Sequence, residues 1–237
     1  MTTSLLARMA AQTRGLRPVG LAAVGVMVAQ LVWAHGDVTP QPVNTDALPD
    51  VGEEWLIENP YRAATAGDEV WAQAVLIGDS GYNQNCARCH GLGVVSGGLA
   101  PDLRFLEAAE YGDEWFVERF QHGYTQDGTT KMPAFGEILG QKAGWAIRTY
   151  IETRPEDGAL DAFADRLGQI RDQLMAGEGD PAAIKTELEE IAVQIKTASG
   201  APIADSAARR AALALDGSAS AAKHAGEMLT IGLSAAH

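Results

Sequence analysis

Apolar residues recur at steps of three and four in the C-terminal half of the chain. Leu160, Phe163, Leu167, Ile170 and Leu174 make one stripe, and Ile184, Leu188, Ile191 and Ile195 make a second. That period places each set on one face of an α-helix. Between the stripes, Gly177, Gly179, Asp180 and Pro181 form a turn whose last two residues cap and start a new helix. The pattern predicts an antiparallel helical hairpin over residues 156–198. Burial of the aliphatic side chains would close it, at about 1.5–3 kcal/mol each. What the hairpin packs on cannot be read from its own pattern.

Upstream, shorter periodic stretches predict helices over residues 70–77, 113–120 and 141–152, the last stopping before Pro155, with loops at 91–98 and 123–130. Residues 35–61 carry Pro and Asp without sustained periodicity and read as an extended arm leading into a domain at 62–155. Residues 199–237 are rich in Ala, Ser and Gly and read as a tail, loosely helical or disordered. The expected fold class is all-α, a small helical domain with a helical-hairpin extension.

Residues 1–34 contain Arg8, Arg14 and Arg17, no acid, and an apolar run at 19–33. With Val32 and Ala34 forming a small-x-small site, the segment reads as an export signal with His35 as the new N-terminus. An uncleaved membrane anchor is the competing reading, because the run approaches the length that spans a bilayer. Cleavage would take the net charge from −13 to −16 by removing the three arginines. Such a chain repels nucleic acid and anionic lipid. It would be steered instead toward a basic patch on a partner protein, at a rate that falls as salt rises.

Cys86, Ala87, Arg88, Cys89 and His90 read C-x-x-C-H. This is the spacing of covalent haem attachment: one helical turn presents both thiols to one edge of a porphyrin, and the next residue supplies an axial nitrogen. A redox dithiol or half of a zinc site shares the C-x-x-C part, although zinc would need further ligands nearby and the chain has only 2 Cys. Covalent haem is completed outside the cytoplasm in bacteria, so the export-like segment and the pentad agree.

A haem iron that moves electrons needs a sixth ligand, and a thioether sulfur raises its potential. Met1, Met9 and Met27 lie in the export-like segment, and Met175 and Met228 lie beyond Pro155. Met132 remains, after a Gly- and Thr-rich loop and before Pro133, and is the expected axial sulfur. His122 is the rival ligand. Arg104, Tyr124 and Trp115 are candidates to hold or shield the haem propionates.

Gly78, Tyr82, Cys86, Cys89 and His90 follow the G-x-x-x-aromatic-x-x-x-C-x-x-C-H run of class I cytochromes c, which this chain resembles. Pro101, Leu103, Met132 and the 145–150 helix match further points of that family. The resemblance implies that the glycine lets the N-terminal helix approach the C-terminal one. It also implies that the Pro101 carbonyl accepts a hydrogen bond from the proximal histidine. The strings at 35–41, 81–91 and 97–104 look like the periplasmic cytochromes c of quinoprotein alcohol dehydrogenase systems. That likeness, from about His35 to Arg154, implies one covalent haem c and an electron acceptor for a pyrroloquinoline-quinone enzyme.

The expected function is therefore a periplasmic electron carrier, not an enzyme, that passes electrons to another cytochrome or an oxidase. Two alternatives stand beside it. One is a haem sensor in which Met132 is displaced. The other is a haem subunit docked permanently, to an enzyme or to its own kind, through the C-terminal helices.

Overall fold

The computed structural model describes residues 40–235. The export-like segment at 1–34, His35 and His237 lie outside these residues.

Among the described residues the fold is built on two crossing helices. The first, α1 (Asp68–Asn85), starts with Asp68 and Glu69 at its positive dipole end and buries one face: Trp71, Ala74, Val75, Gly78, Gly81, Tyr82 and Asn85. It is longer than the predicted 70–77 stretch. Gly78 and Gly81 do not end it, because they are where its partner presses closest. A methyl group built on Gly78 would lie 2.8 Å from Tyr150 Cβ and overlap the Ala146 carbonyl. That partner helix spans Gly136–Glu152 and is broken at Gly140 (φ 74°), so its regular part begins at Gln141. It is buried nearly all round, with Trp145, Ala146, Ile147 and Ile151 at zero exposure.

Between the crossing helices in sequence comes α2 (Glu110–His122), whose Phe116 and Phe120 stack at 5.5 Å. The buried helix at Gly136–Glu152 is α3. The segment expected as loop at 123–130 contains a small antiparallel hairpin instead, β1 (Tyr124–Gln126) with β2 (Thr129–Met132), in which Tyr124 pairs with Met132. Asp127 and Gly128 turn it with φ of 51° and 73°. An Asp-Gly pair at positive φ is the usual turn of a two-residue hairpin. The strands are so short and exposed that no alternation marks them.

A buried ionic cluster joins these parts. Arg148 Nε donates to Asp113 Oδ1 at 2.9 Å, and both side chains have zero exposure. Arg62, at the end of the N-terminal arm, reaches Asp113 and Glu152, each at 2.8 Å. The Asn59 amide group bonds Thr149 Oγ1 at 3.0 Å and Glu152 Oε1 at 3.1 Å. Residues 40–61 thus pack as an irregular arm, with Leu48 and Tyr61 buried against Trp145.

Beyond Pro155 lie α4 (Ala164–Ala176) and α5 (Pro181–Ala192), the latter capped by Asp180, which accepts from Ala182 N at 3.1 Å. The segment expected to be loosely helical or disordered holds two further helices, α6 (Ala207–Ala214) and α7 (Ala219–Ala235). Helix α7 packs on α4 and α6, and α6 packs on α5. The predicted stripes therefore meet through a shared core rather than mainly through each other. Buried alanines, among them Ala207, Ala208, Ala211 and Ala225, complete that core. Alanine favours helix and admits close backbones, but it gives no contrast for a periodic pattern to show.

These four helices sit on the haem-motif portion. Asp205 N donates to Thr153 O at 2.9 Å, Ala108 N to Ser199 O at 3.0 Å, and Ser199 Oγ to Glu152 O at 2.5 Å. Asp205 also pairs with Arg154 and with Arg210, the latter at 2.6 Å, and Arg209 reaches Asp68 at 2.8 Å. Among the described residues no helix is long and apolar enough to cross a membrane.

Two expectations follow. Gly78→Ala should cost about 3 kcal/mol, because the methyl group meets backbone that cannot rotate away. Gly168→Ala in α4, where the nearest atom is the flexible end of Arg171 at 3.9 Å, should gain about 0.5–1 kcal/mol. Thermal unfolding of the two variants would read the opposite signs.

Burial pushes the Asp205 carboxyl upward, but Arg154 and Arg210 outweigh it and hold the group below the usual carboxylate range. A depressed folded pKa contributes stability above the unfolded value of about 4 and loses it as pH falls through the folded value. Asp205→Asn should therefore destabilise by about 2 kcal/mol at neutral pH, with the gap to wild type closing below about pH 4. Urea titrations across that range would show it.

Candidate functional site

Helix α1 ends at Asn85, and Cys86 opens a tight helical turn, Ala87–His90. Cys86 N donates to Tyr82 O at 2.7 Å, while Cys89 N and His90 N both donate to Cys86 O, at 3.1 and 3.0 Å. One turn therefore presents both thiols and the imidazole. The thiols are free and half-buried. Burial, reinforced by the neighbouring Cys89, pushes the Cys86 thiol up to about 12. Among the described residues no three His, Cys, Asp or Glu side chains converge on a metal site.

After His90 the chain doubles back. Gly91 has φ 85°, and a methyl group there would overlap the Val95 carbonyl. Val94, a β-branched residue, has φ 70° and zero exposure. Such a backbone costs about 1–3 kcal/mol and persists because burial of the side chain holds it. Tyr82 Oη donates to Gly91 O at 2.9 Å, and its ring lies 5.5 Å from that of Tyr150, so the turn is fastened to the helix crossing.

His90 Nδ1 stands 2.8 Å from Pro101 O. A carbonyl only accepts, so Nδ1 carries the proton in this contact, which leaves Nε2 as the nitrogen with a lone pair to offer a metal. The loop that brings Pro101 there is locked by Ser96, whose Oγ donates to Ala100 O at 2.5 Å, and by Asp102, which accepts from Arg104 N at 3.1 Å.

Of the residues proposed for propionates, Arg104 lies in a carboxylate cluster. Its side chain is buried between Asp102, at 2.9 Å, and Asp157. Nε and Nη2 donate to Asp102, and Nη1 donates to Asp157, a carboxylate contributed from beyond Pro155. Tyr124 is 42% exposed, and Trp115 is half-buried. Both rings face a residue that sequence reasoning passed over: Arg119, whose guanidinium carbon lies 5.3 Å from the Trp115 ring centre and 5.1 Å from that of Tyr124. The four-residue spacing of Trp115 and Arg119 on α2 was the available signal.

Met132 is half-buried at the end of β2 and borders the same apolar cluster as Cys86, built around Tyr82, Val94 and Phe120. His122 is 67% exposed and pairs loosely with Glu118 at 3.9 Å.

The residues present fit a haem. The donor set is two thiols, an imidazole whose Nδ1 is held by Pro101 O, and a thioether bordering the same cluster. The loop that carries Pro101 leaves Leu92, Val95, Leu99 and Phe105 exposed, apolar side chains suited to the edge of a macrocycle.

Comparison with known proteins agrees. Residues 73–151 match the family described as cytochrome c oxidase, cbb3-type, subunit III. A cytochrome c550 of Pseudomonas aeruginosa is 50% identical over 133 residues, covering 56% of this chain and 90% of that protein. A quinohemoprotein alcohol dehydrogenase, ADH IIB of Pseudomonas putida, is 33% identical over 98 residues, which is 41% of this chain but 13% of that protein. No solved structure matches. The chain belongs to the class I c-type cytochromes. It is accordingly a haem protein of electron transfer, not an enzyme.

If Cys86 and Cys89 hold the haem covalently, the wild-type chain should keep its haem in a denaturing gel stained for haem peroxidase activity. The double variant Cys86→Ser, Cys89→Ser should release it.

Proposed function

We propose that the chain is a periplasmic mono-haem carrier that takes single electrons from a pyrroloquinoline-quinone alcohol dehydrogenase and passes them to a downstream cytochrome or oxidase. The observation that carries this reading is the 2.8 Å contact between His90 Nδ1 and Pro101 O, which prepares Nε2 as an iron ligand. Haem c, when bound, supplies one-electron redox chemistry at iron, and a Met sulfur as sixth ligand raises its potential.

The other roles belong to the chain. Cys86 and Cys89 hold the group covalently, and Met132 provides the second axial atom. Pro101 orients the imidazole, and Tyr82 fixes the turn after it. A single C-x-x-C-H and 2 Cys in the whole sequence support one haem. The export-like segment at 1–34 supports the periplasm, and the net charge of −13 supports docking on a basic patch. For the donor, support comes from the likeness to quinoprotein-linked cytochromes and from the partial match to a quinohemoprotein alcohol dehydrogenase.

The oxidised protein should show the weak red charge-transfer band of sulfur-ligated iron(III), and Met132→Ala should abolish it. Stopped-flow mixing with a pyrroloquinoline-quinone alcohol dehydrogenase and alcohol should give rapid haem reduction that slows as salt is added. Reduction no faster than with alcohol alone would rule out that donor. Ready carbon monoxide binding by the reduced protein would move it to the haem sensors.

A further inference from the structure

The strand that carries Met132 has little beneath it. Every residue of β1 and β2 is exposed except Met132, so the hairpin has no core of its own to set its position. Its attachments lie at its base. Phe135 N donates to Phe120 O at 2.8 Å, and Gly123 runs so close to the following segment that a methyl group on it would overlap the Met132 carbonyl oxygen and lie 2.8 Å from Ala134 N. Both contacts hold the entry and exit of the hairpin. The Gly123 approach reaches the backbone of Met132, but neither contact holds the strand through a side chain.

Arg119 does. Its guanidinium stands over the rings of Trp115, four residues back on α2, and of Tyr124, the residue that pairs with Met132 across the hairpin. Its ion partner is Glu118, 3.6 Å away and 57% exposed, an interaction worth little. The rings are therefore its principal neighbours, and planar guanidinium stacking on two aromatic faces is directional in a way that a surface ion pair is not.

We infer that Arg119 is a positioning residue for the axial methionine: by bridging Trp115 of α2 to Tyr124 of β1, it holds the paired strand and fixes where Met132 stands. The role rests on the reading of Met132 as an iron ligand. It differs from a propionate contact, because Arg119 acts on the hairpin and not on the prosthetic group.

The test uses the intact oxidised haemoprotein and follows loss of the sulfur-to-iron charge-transfer band as imidazole displaces the ligand. Arg119→Ala and Tyr124→Leu should each speed displacement by about tenfold, since each removes the ring contact that restrains the strand. Arg119→Lys should fall between them and wild type. Combining Arg119→Ala with Tyr124→Leu should add little to either alone, because both remove the same contact. The helical circular dichroism spectrum should be unchanged throughout, as the hairpin lies outside the core. Displacement at the wild-type rate in both single variants would overturn the inference. A wild-type protein without the band would overturn the Met132 assignment itself, and the two failures are thus told apart.

Discussion

The close crossing of α1 and α3 at Gly78 is the contact on which the rest of the molecule depends. A glycine inside a helix costs about 0.5–1 kcal/mol against alanine, and here it lets the backbone at Ala146 approach where any side chain would overlap a carbonyl. Both sides of the proposed site hang from that crossing. Cys86 follows the last residue of α1, and Met132 stands four residues ahead of α3. The Tyr82–Tyr150 pair, one ring from each helix, carries the same constraint to Gly91, the residue after the imidazole. A contact away from the site thereby sets the separation of the elements that form it.

The ionic cluster around Asp113 plays a different part. Burying Arg148, Asp113 and Glu152 is seldom favourable in net terms, since desolvation offsets much of the attraction. What it supplies is uniqueness. Arg62 comes from the arm, Asp113 from α2, and Arg148 and Glu152 from α3; the Glu152 carbonyl accepts from Ser199 of the C-terminal part. Any other docking of these segments would leave a buried charge unpaired, at about 3–5 kcal/mol. The irregular arm has few apolar anchors besides Leu48 and Tyr61, so the cluster gives it one place to lie.

The C-terminal helices show how far pattern alone reaches. Leu167, Ile170 and Leu174, with Ile184, Leu188 and Ile191, announced two amphipathic helices because large aliphatics alternate with charge at helical spacing. Helices α6 and α7 escaped because their buried faces are mostly alanine, which looks alike on a buried and an exposed face. The hairpin bearing Met132 escaped for a related reason: its side chains lie in solvent, and only the Asp127-Gly128 pair marked it. The Arg104–Asp157 pair was likewise hidden, because nothing local reveals a partner fifty-three residues on.

By itself the sequence determined the class of the protein and its covalent chemistry. Two thiols and an imidazole within one helical turn form a local arrangement, and spacing alone states it. The sequence also determined the all-α character, through the period of its apolar residues, and the acidic balance that suits a charged partner. Only the tertiary structure decided that the C-terminal helices dock on the haem-motif portion, that Arg104 is buried between carboxylates, and that Arg119 lies between two rings beside the methionine strand. Those are pairings between residues distant in sequence. They depend on which faces meet when helices cross, and spacing along one chain does not contain that information.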